Sequence, residues 1–232
     1  MSAPATPGLP DPSEKARVVR GMFDRISDRY DLVNRVMTLG MDVGWRRRAV
    51  GELRLPGDAL VADLACGTGD LCNELAAGGY RAIGFDFSHG MLRNARTEAP
   101  VVEADVLRLP LADGRVDGVT CGFALRNVTD LIELFAETAR VVRRGGRVAF
   151  LETSEPDGRV LRAGHALYFR RIVPLIGGAL SDGDAYRYLP RSTAYLPVPD
   201  RLIEMLGGAG FDQVERTPLA GGVAQMLLGT RR

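Results

Sequence analysis

From Ala59 onward the chain alternates short apolar runs with helical ones, and nothing else in the sequence constrains its fold as tightly. Strands are expected at Ala59–Leu64, Arg81–Phe85, Val101–Ala104, Val116–Cys121 and Arg147–Glu152, with helices at Leu71–Ala77, Gly90–Glu98 and Leu131–Val142 between them. Such a series folds as βαβ units, a doubly wound α/β arrangement with a mostly parallel sheet and helices on both faces. Gly145-Gly146 reads as the turn between the last of these helices and the strand after it. Beyond an interruption from Pro156 to Pro199, a helix near Arg201–Leu206 and strands near Gln213–Thr217 and Val223–Leu228 resume the pattern.

The flanks read differently. Prolines at positions 4, 7, 10 and 12 mark residues 1–12 as a disordered tail. Residues 13–232 form one domain, and 46% hydrophobic content suits a sizeable core. Ser13-Glu14 opens a helix in which Val18, Val19, Met22, Phe23 and Ile26 fall at helical spacing. A second helical stretch runs from Trp45 to Leu53 and ends at Pro56-Gly57-Asp58, with Trp45-Arg46-Arg47-Arg48 as a solvated face. Residues 155–200 read as a helical cap insertion. Its stripe of Val160, Leu161, Gly164, Leu167, Tyr168, Ile172, Leu175 and Ile176 is amphipathic, with a break near Pro174. The stripe either packs on the sheet or lines an acceptor pocket and touches anionic lipid.

Composition excludes several roles. A formal net charge of +1 implies no polyanionic partner, and a nucleic-acid substrate is not expected. The cysteines Cys66, Cys72 and Cys121 are too few for a disulfide framework, and no metal-ligand cluster accompanies them. No apolar stretch is long enough to span a bilayer, so the expectation is a soluble cytoplasmic protein.

In an open α/β sheet ligands bind beyond the carboxyl ends of the strands. The first strand there gives Asp63-Leu64-Ala65-Cys66-Gly67-Thr68-Gly69-Asp70. Gly67 and Gly69 let the backbone approach a ligand, and the helix that follows points its positive end at the same place. A dinucleotide loop would need a third glycine, and a P-loop would need a lysine; neither is present. S-adenosylmethionine fits better: its ammonium suits acids, its carboxylate suits backbone N–H groups, and it has no phosphate. Asp86, at the end of the second strand, can accept from a ribose diol, or can cap a helix. Asp105, after the third strand, can accept from the adenine amino group with Val106 against the ring, or can simply make a turn.

These residues, with others, resemble the ubiquinone/menaquinone biosynthesis C-methyltransferase family. The motifs are Phe23-Asp24-Arg25-Ile26, Arg29-Tyr30-Asp31-Leu32-Val33-Asn34, Gly40, Trp45-Arg46, Asp63 to Asp70, Leu125-Arg126-Asn127-Val128, Arg140-Val141, Gly145-Gly146-Arg147, Tyr186-Arg187-Tyr188-Leu189 and Ser192. The resemblance implies a seven-stranded class I methyltransferase fold, Rossmann-like, with the last strand antiparallel. It implies methyl transfer to a ring carbon of a prenylated quinol such as demethylmenaquinol. It places cofactor positions on Thr68, Asp86, Asp105, Val106 and Gly122, where serine is usual at the last. The chain departs from the pattern also at Thr153 for phenylalanine, Leu227 for histidine and Asp42 for the histidine of some relatives.

An activated methyl needs positioning more than activation. A quinol carbon becomes nucleophilic as a neighbouring hydroxyl ionises, so the site should stabilise a phenolate. Arg126 is expected to do so and Asn127 to orient an acceptor oxygen, with a water held by both and by Tyr30 relaying protons. In the plainer alternative, Arg126 pairs with an acid and Asn127 caps the next helix. His89 reads as a surface residue, and His165 has no assigned role. Two rival functions remain at this level: methylation of another aromatic small molecule, and cofactor binding without turnover.

Overall fold

The computed structural model describes residues 14–156, 158–168, 171, 188 and 192–232. The proline-rich segment 1–12, the stripe residues Ile172, Leu175 and Ile176 and the break near Pro174 lie outside the described residues.

The strands are β1 (Leu60–Leu64), β2 (Arg81–Asp86), β3 (Val101–Glu103), β4 (Val116–Gly122), β5 (Val142–Thr153), β6 (Phe211–Leu219) and β7 (Ala224–Arg231). They form one seven-stranded sheet in the order 3-2-1-4-5-7-6. β1 to β5 pair in parallel, and β7 runs antiparallel to both β5 and β6. Among the described residues the helices are α1 (Lys15–Ile26), α2 (Tyr30–Met37), α3 (Met41–Leu53), α4 (Asp70–Ala77), α5 (His89–Arg93), α6 (Leu131–Val141), α7 (Arg159–Leu167) and α8 (Pro199–Gly208).

Successive side chains of a strand point to opposite faces, and here both faces are covered. Val148, Phe150 and Leu227 pack with Phe135 and Leu134 of α6 and Leu202 and Leu206 of α8. Ala149, Leu151, Met226 and Leu228 pack on the other face with Trp45, Ala49, Val50 and Leu53 of α3 and Leu71 and Leu75 of α4. A smaller cluster of Val19, Met22, Ile26, Val33, Met91 and Tyr188 ties α1 and α2 over the strand ends.

Four local expectations need correction. α2 is a separate helix that the apolar pattern does not announce, because Leu32 and Val36 are exposed and only Val33 is buried. α5 stops at Arg93 instead of Glu98: Asn94 donates to Ser27 Oγ (2.9 Å) and Asp28 Oδ1 (2.8 Å), and Arg96 N donates to Thr68 O (2.8 Å). Tertiary polar partners there outcompete helix continuation. Gly145-Gly146 is not an interelement turn. β5 follows α6 directly, and its pairing with β4 jumps from Val116↔Val142 to Gly118↔Arg147, so both glycines lie in a bulge within the strand. Finally, Trp45-Arg46-Arg47-Arg48 is not a wholly solvated face. Trp45 and Arg46 are buried, and only Arg47 and Arg48 face water.

Candidate active site

The strand order reverses between β1 and β4, which opens a crevice at their carboxyl ends. The backbone is strained on both sides of it. Ala65 (φ 53°) and Phe123 (φ 60°), just past β1 and β4, are left-handed without being glycine. Such backbone costs about 1–3 kcal/mol per residue and persists where the surroundings over-determine it. The loop from β1 turns into α4 at Gly69 (φ 92°), where a Cβ would stand 2.6 Å from Thr97 Cγ2.

A cleft of about 980 Å³ occupies this crevice. Asp63, Gly67, Thr68, Asp86, Asp105, Val106, Gly122 and Asn127 line it, while Gly69 shapes the loop without lining it. Phe23, Tyr30 and Asp31 of the N-terminal helices line it too. Those helices are fastened to the sheet by polar contacts. Thr68 Oγ1 donates to Asp31 Oδ1 (2.6 Å), and Asp24 Oδ1 accepts from Ser88 Oγ (2.6 Å) and Gly90 N (2.9 Å). Lys15 Nζ donates to Val128 O (2.7 Å) and lies over the Tyr195 ring; burial pushes its pKa down to about 8.

Two buried carboxylates dominate the floor. Asp63 accepts from Thr120 Oγ1 (2.8 Å), yet burial pushes its pKa up to about 7. Asp86 accepts from Gly67 N and Ser88 N (both 2.8 Å), and burial raises it to about 6. Ser88, not Asp86, caps α5 by accepting from Met91 N. Each carboxylate oxygen has two lone pairs, so Asp86 retains acceptors for a diol beside its loop contacts. Asp105 Oδ1 accepts from Leu107 N (2.9 Å), which makes it a turn residue that also lines the cleft. Burial holds both carboxylates above their ordinary range, and a cationic group bound beside them would draw them back toward the charged form.

A second cavity of about 1200 Å³ adjoins the first. Met37, Leu39, Met41, Trp45, Leu161 and Val223 make most of its wall apolar, and Arg126, Asp42 and Thr153 add polar groups. Tyr30, Arg46 and Phe123 line both cavities. The two proposed catalytic neighbours are thus divided: Asn127 lines the cleft and Arg126 lines the second cavity.

Arg126 is buried and paired. Its Nη1 and backbone N donate to the buried Glu152, and its Nε donates to Ser192 Oγ (3.2 Å). The pairing alternative therefore holds for Arg126. The capping alternative fails for Asn127, because Asp130 caps α6 by accepting from Ile132 N and Glu133 N. Asn127 Oδ1 instead accepts from the Tyr188 hydroxyl (3.4 Å). Tyr30 sits between guanidinium charges: burial raises its pKa, and Arg126 and Arg46 oppose the rise. His89 is a surface residue with Nδ1 3.0 Å from Glu103 Oε2, and the His165 side chain lies outside the described residues.

Sequence reasoning missed Arg46, Phe123, Asp31 and Glu152. One signal was available: Asp42 and Arg46 stand four apart on one helix, the spacing of an ion pair. The departures from the family pattern also find places. At Gly122 a Cβ would come 2.8 Å from Leu71 Cδ1, so Leu71 occupies the room a serine would need. Leu227 belongs to the core beside Phe135 and Phe150 and lines neither cavity. Asp42 accepts from Thr38 Oγ1 (2.7 Å) and from Arg46. Among the described residues no group of three or more His, Cys, Asp or Glu could hold a metal ion. No helix among them is long and apolar enough to cross a membrane.

Comparison with known proteins gives the family. The chain is 42% identical to the demethylmenaquinone methyltransferase of Roseiflexus castenholzii, over 97% of this chain and 98% of that protein. It is 37% identical to the ubiquinone/menaquinone biosynthesis C-methyltransferase UbiE of a Geobacter species, over 94% and 98%. Among solved structures, a methyltransferase of Thermotoga maritima described as a possible histamine N-methyltransferase superposes with a TM-score of 0.67 at 17% identity, covering 92% of this chain and 99% of that one. At that identity it shares the fold alone: the class I methyltransferase sheet. The model of the ubiE/COQ5 methyltransferase family matches residues 12–231, and the chain belongs to that family of S-adenosylmethionine-dependent C-methyltransferases.

Proposed function

We propose that the protein methylates a ring carbon of a prenylated quinol, with demethylmenaquinol as the acceptor. One observation carries the reading: an apolar cavity of about 1200 Å³ meets the cofactor cleft at Tyr30, Arg46 and Phe123. A flat aromatic head with an apolar tail suits that shape, and the relatives named for demethylmenaquinone methylation support the choice of ring.

S-adenosylmethionine supplies an electrophilic methyl on a cationic sulfur and leaves as a neutral thioether. The chain's residues supply the rest. Asp63 and Asp86 hold the donor through its ammonium and ribose, Asp105 and Val106 through its adenine, and Gly67, Thr68 and Gly122 shape the wall. Arg126 stabilises the charge that develops as the quinol hydroxyl ionises, and Asn127 orients an acceptor oxygen. A water held near Tyr30 accepts the hydroxyl proton. The phenolate's ring carbon then forms the new carbon–carbon bond with a ring electron pair, while the carbon–sulfur pair stays on sulfur. Loss of the ring hydrogen as a proton to water restores aromaticity, and the ring oxygen regains a proton, so one proton is released per turnover. Arg126 is no base, since a guanidinium stays protonated.

The acceptor's tail must come from a bilayer. Leu39 and Leu161 are exposed, at 79% and 47%, and both also line the second cavity. We read this mouth as a peripheral contact with the inner face of the membrane of a cytoplasmic protein. Residues 13–232 act as one domain, and Leu161 and Tyr168 of the 155–200 insertion line the acceptor cavity. The test supplies methyl-labelled S-adenosylmethionine with reduced demethylnaphthoquinols, benzoquinols and simple phenols. Label on a naphthoquinol ring carbon supports the reading, and label only on phenol oxygens refutes it.

A further inference from the structure

Of the three residues at the junction of the two cavities, Arg46 alone carries a charge. It is also buried, 7% exposed, so water screens it only weakly. Its anchoring is one-sided. Asp42 Oδ2 accepts from Nη1, Asp70 Oδ2 stands 3.4 Å from the same nitrogen, and Thr38 fixes the other oxygen of Asp42. Among the described residues Nη2 and Nε have no hydrogen-bond acceptor. The guanidinium carbon lies 5.6 Å from the centre of the Phe123 ring, which is itself held by left-handed backbone. A planar cation that is desolvated, oriented from one end and open at the other is built to receive an oxyanion.

We propose that Arg46 is a second donor to the acceptor oxygen next to the reacting carbon, on the side that faces the cofactor cleft. This rests on the ring-methylation reading above and adds a residue to it. Arg126 approaches from within the second cavity, where it pairs with Glu152 as Arg46 pairs with Asp42. Arg46 lines both cavities. The ionisable groups around it are Asp42, Asp70 with Arg35, Tyr30, Asp31 and Asp63, with Arg126 acting on Tyr30 from its other side. Asp42 is a positioning residue that turns the guanidinium through its ion pair.

The test titrates a chromogenic phenol, 4-nitro-1-naphthol, bound to the full chain loaded with S-adenosylhomocysteine. In the wild type its bound pKa should lie below the free value, and Arg46→Gln should raise it by about one pH unit or more. Arg46→Lys, which keeps the charge and loses the fork, should fall between. Turnover of Arg46→Gln should drop about 100-fold, the scale of one lost oxyanion donor. A merely structural arginine would lower the melting temperature and cofactor affinity and leave the probe's pKa at its wild-type value, which would overturn the proposal. If Arg46→Gln does not fold, Arg46→Lys decides: a wild-type probe pKa and wild-type turnover there overturn it. Should the wild-type chain bind neither naphthol nor naphthoquinone, the acceptor reading itself fails, a result distinct from an unshifted pKa.

Discussion

Asp63 is buried at a cost to the fold, and replacing it with asparagine exposes that cost. The carboxyl is 1% exposed, and burial moves its pKa from 3.8 to about 7. A pKa raised in the folded state means the protonated form fits the fold. The stability it lends is complete below about pH 4 and is lost as pH rises through 7. A shift of about three pH units at about 1.4 kcal/mol each amounts to about 4 kcal/mol. Asparagine is close in shape, stays neutral and still accepts from Thr120 Oγ1. Asp63→Asn should therefore be about 4 kcal/mol more stable than the wild type at pH 8, with the gap below about 2 kcal/mol at pH 5. Asp86 titrates in both proteins and largely cancels. Urea unfolding of the ligand-free proteins across that range measures the gap. Calorimetry with S-adenosylhomocysteine should show affinity rising more steeply with pH in the wild type than in Asp63→Asn, because the ligand's ammonium expels the Asp63 proton. A stability gap that does not change with pH would refute the reasoning.

Other outcomes follow from the same contacts. Arg126→Ala strands the buried Glu152 and should cost about 3–5 kcal/mol, whereas Arg126→Ala with Glu152→Gln should recover most of the stability and none of the turnover; chemical denaturation beside single-turnover kinetics checks both. Cofactor affinity should change far less than turnover in that double variant, because Arg126 lines only the second cavity. Gly122→Ser places a Cβ against Leu71 and should destabilise by about 1–3 kcal/mol, with Leu71→Val in the same chain relieving it; thermal melts compare the two. Trp45 is the chain's one tryptophan and lines the acceptor cavity, so naphthoquinones should quench its fluorescence, while S-adenosylhomocysteine alone should leave it nearly unchanged.

The sheet was legible because each strand is a short apolar run closed by a turn signal, and burial on both faces makes such runs continuous. The floor of the cofactor cleft was legible for a related reason. Strand ends are fixed by the strands, so the strand pattern alone places Asp63, Asp86 and Asp105. Helix ends were harder. α5 stops early because Asn94 finds partners in the segment after α1, more than sixty residues away in sequence. α2 escaped notice because Leu32 and Val36 face outward, which erases the stripe that announces a helix. The acceptor side was the least legible. Arg46 and Phe123 matter through where α3 and β4 bring them, and a run of arginines reads as surface until one is found beneath Phe123. Glu152 lies 26 positions after Arg126, and only the neighbouring strands β4 and β5 bring the pair together.

The account's central claim is methyl transfer to a ring carbon, and one product analysis tests it most directly. The purified chain would be incubated with carbon-13 methyl S-adenosylmethionine and reduced demethylmenaquinol, and the extracted product read by carbon NMR and mass spectrometry. The account predicts a single labelled methyl on the ring carbon beside a hydroxyl, at the chemical shift of an aryl methyl group. Label at the shift of a methoxy carbon, or none in the quinol at all while a simple phenol is labelled, would contradict it.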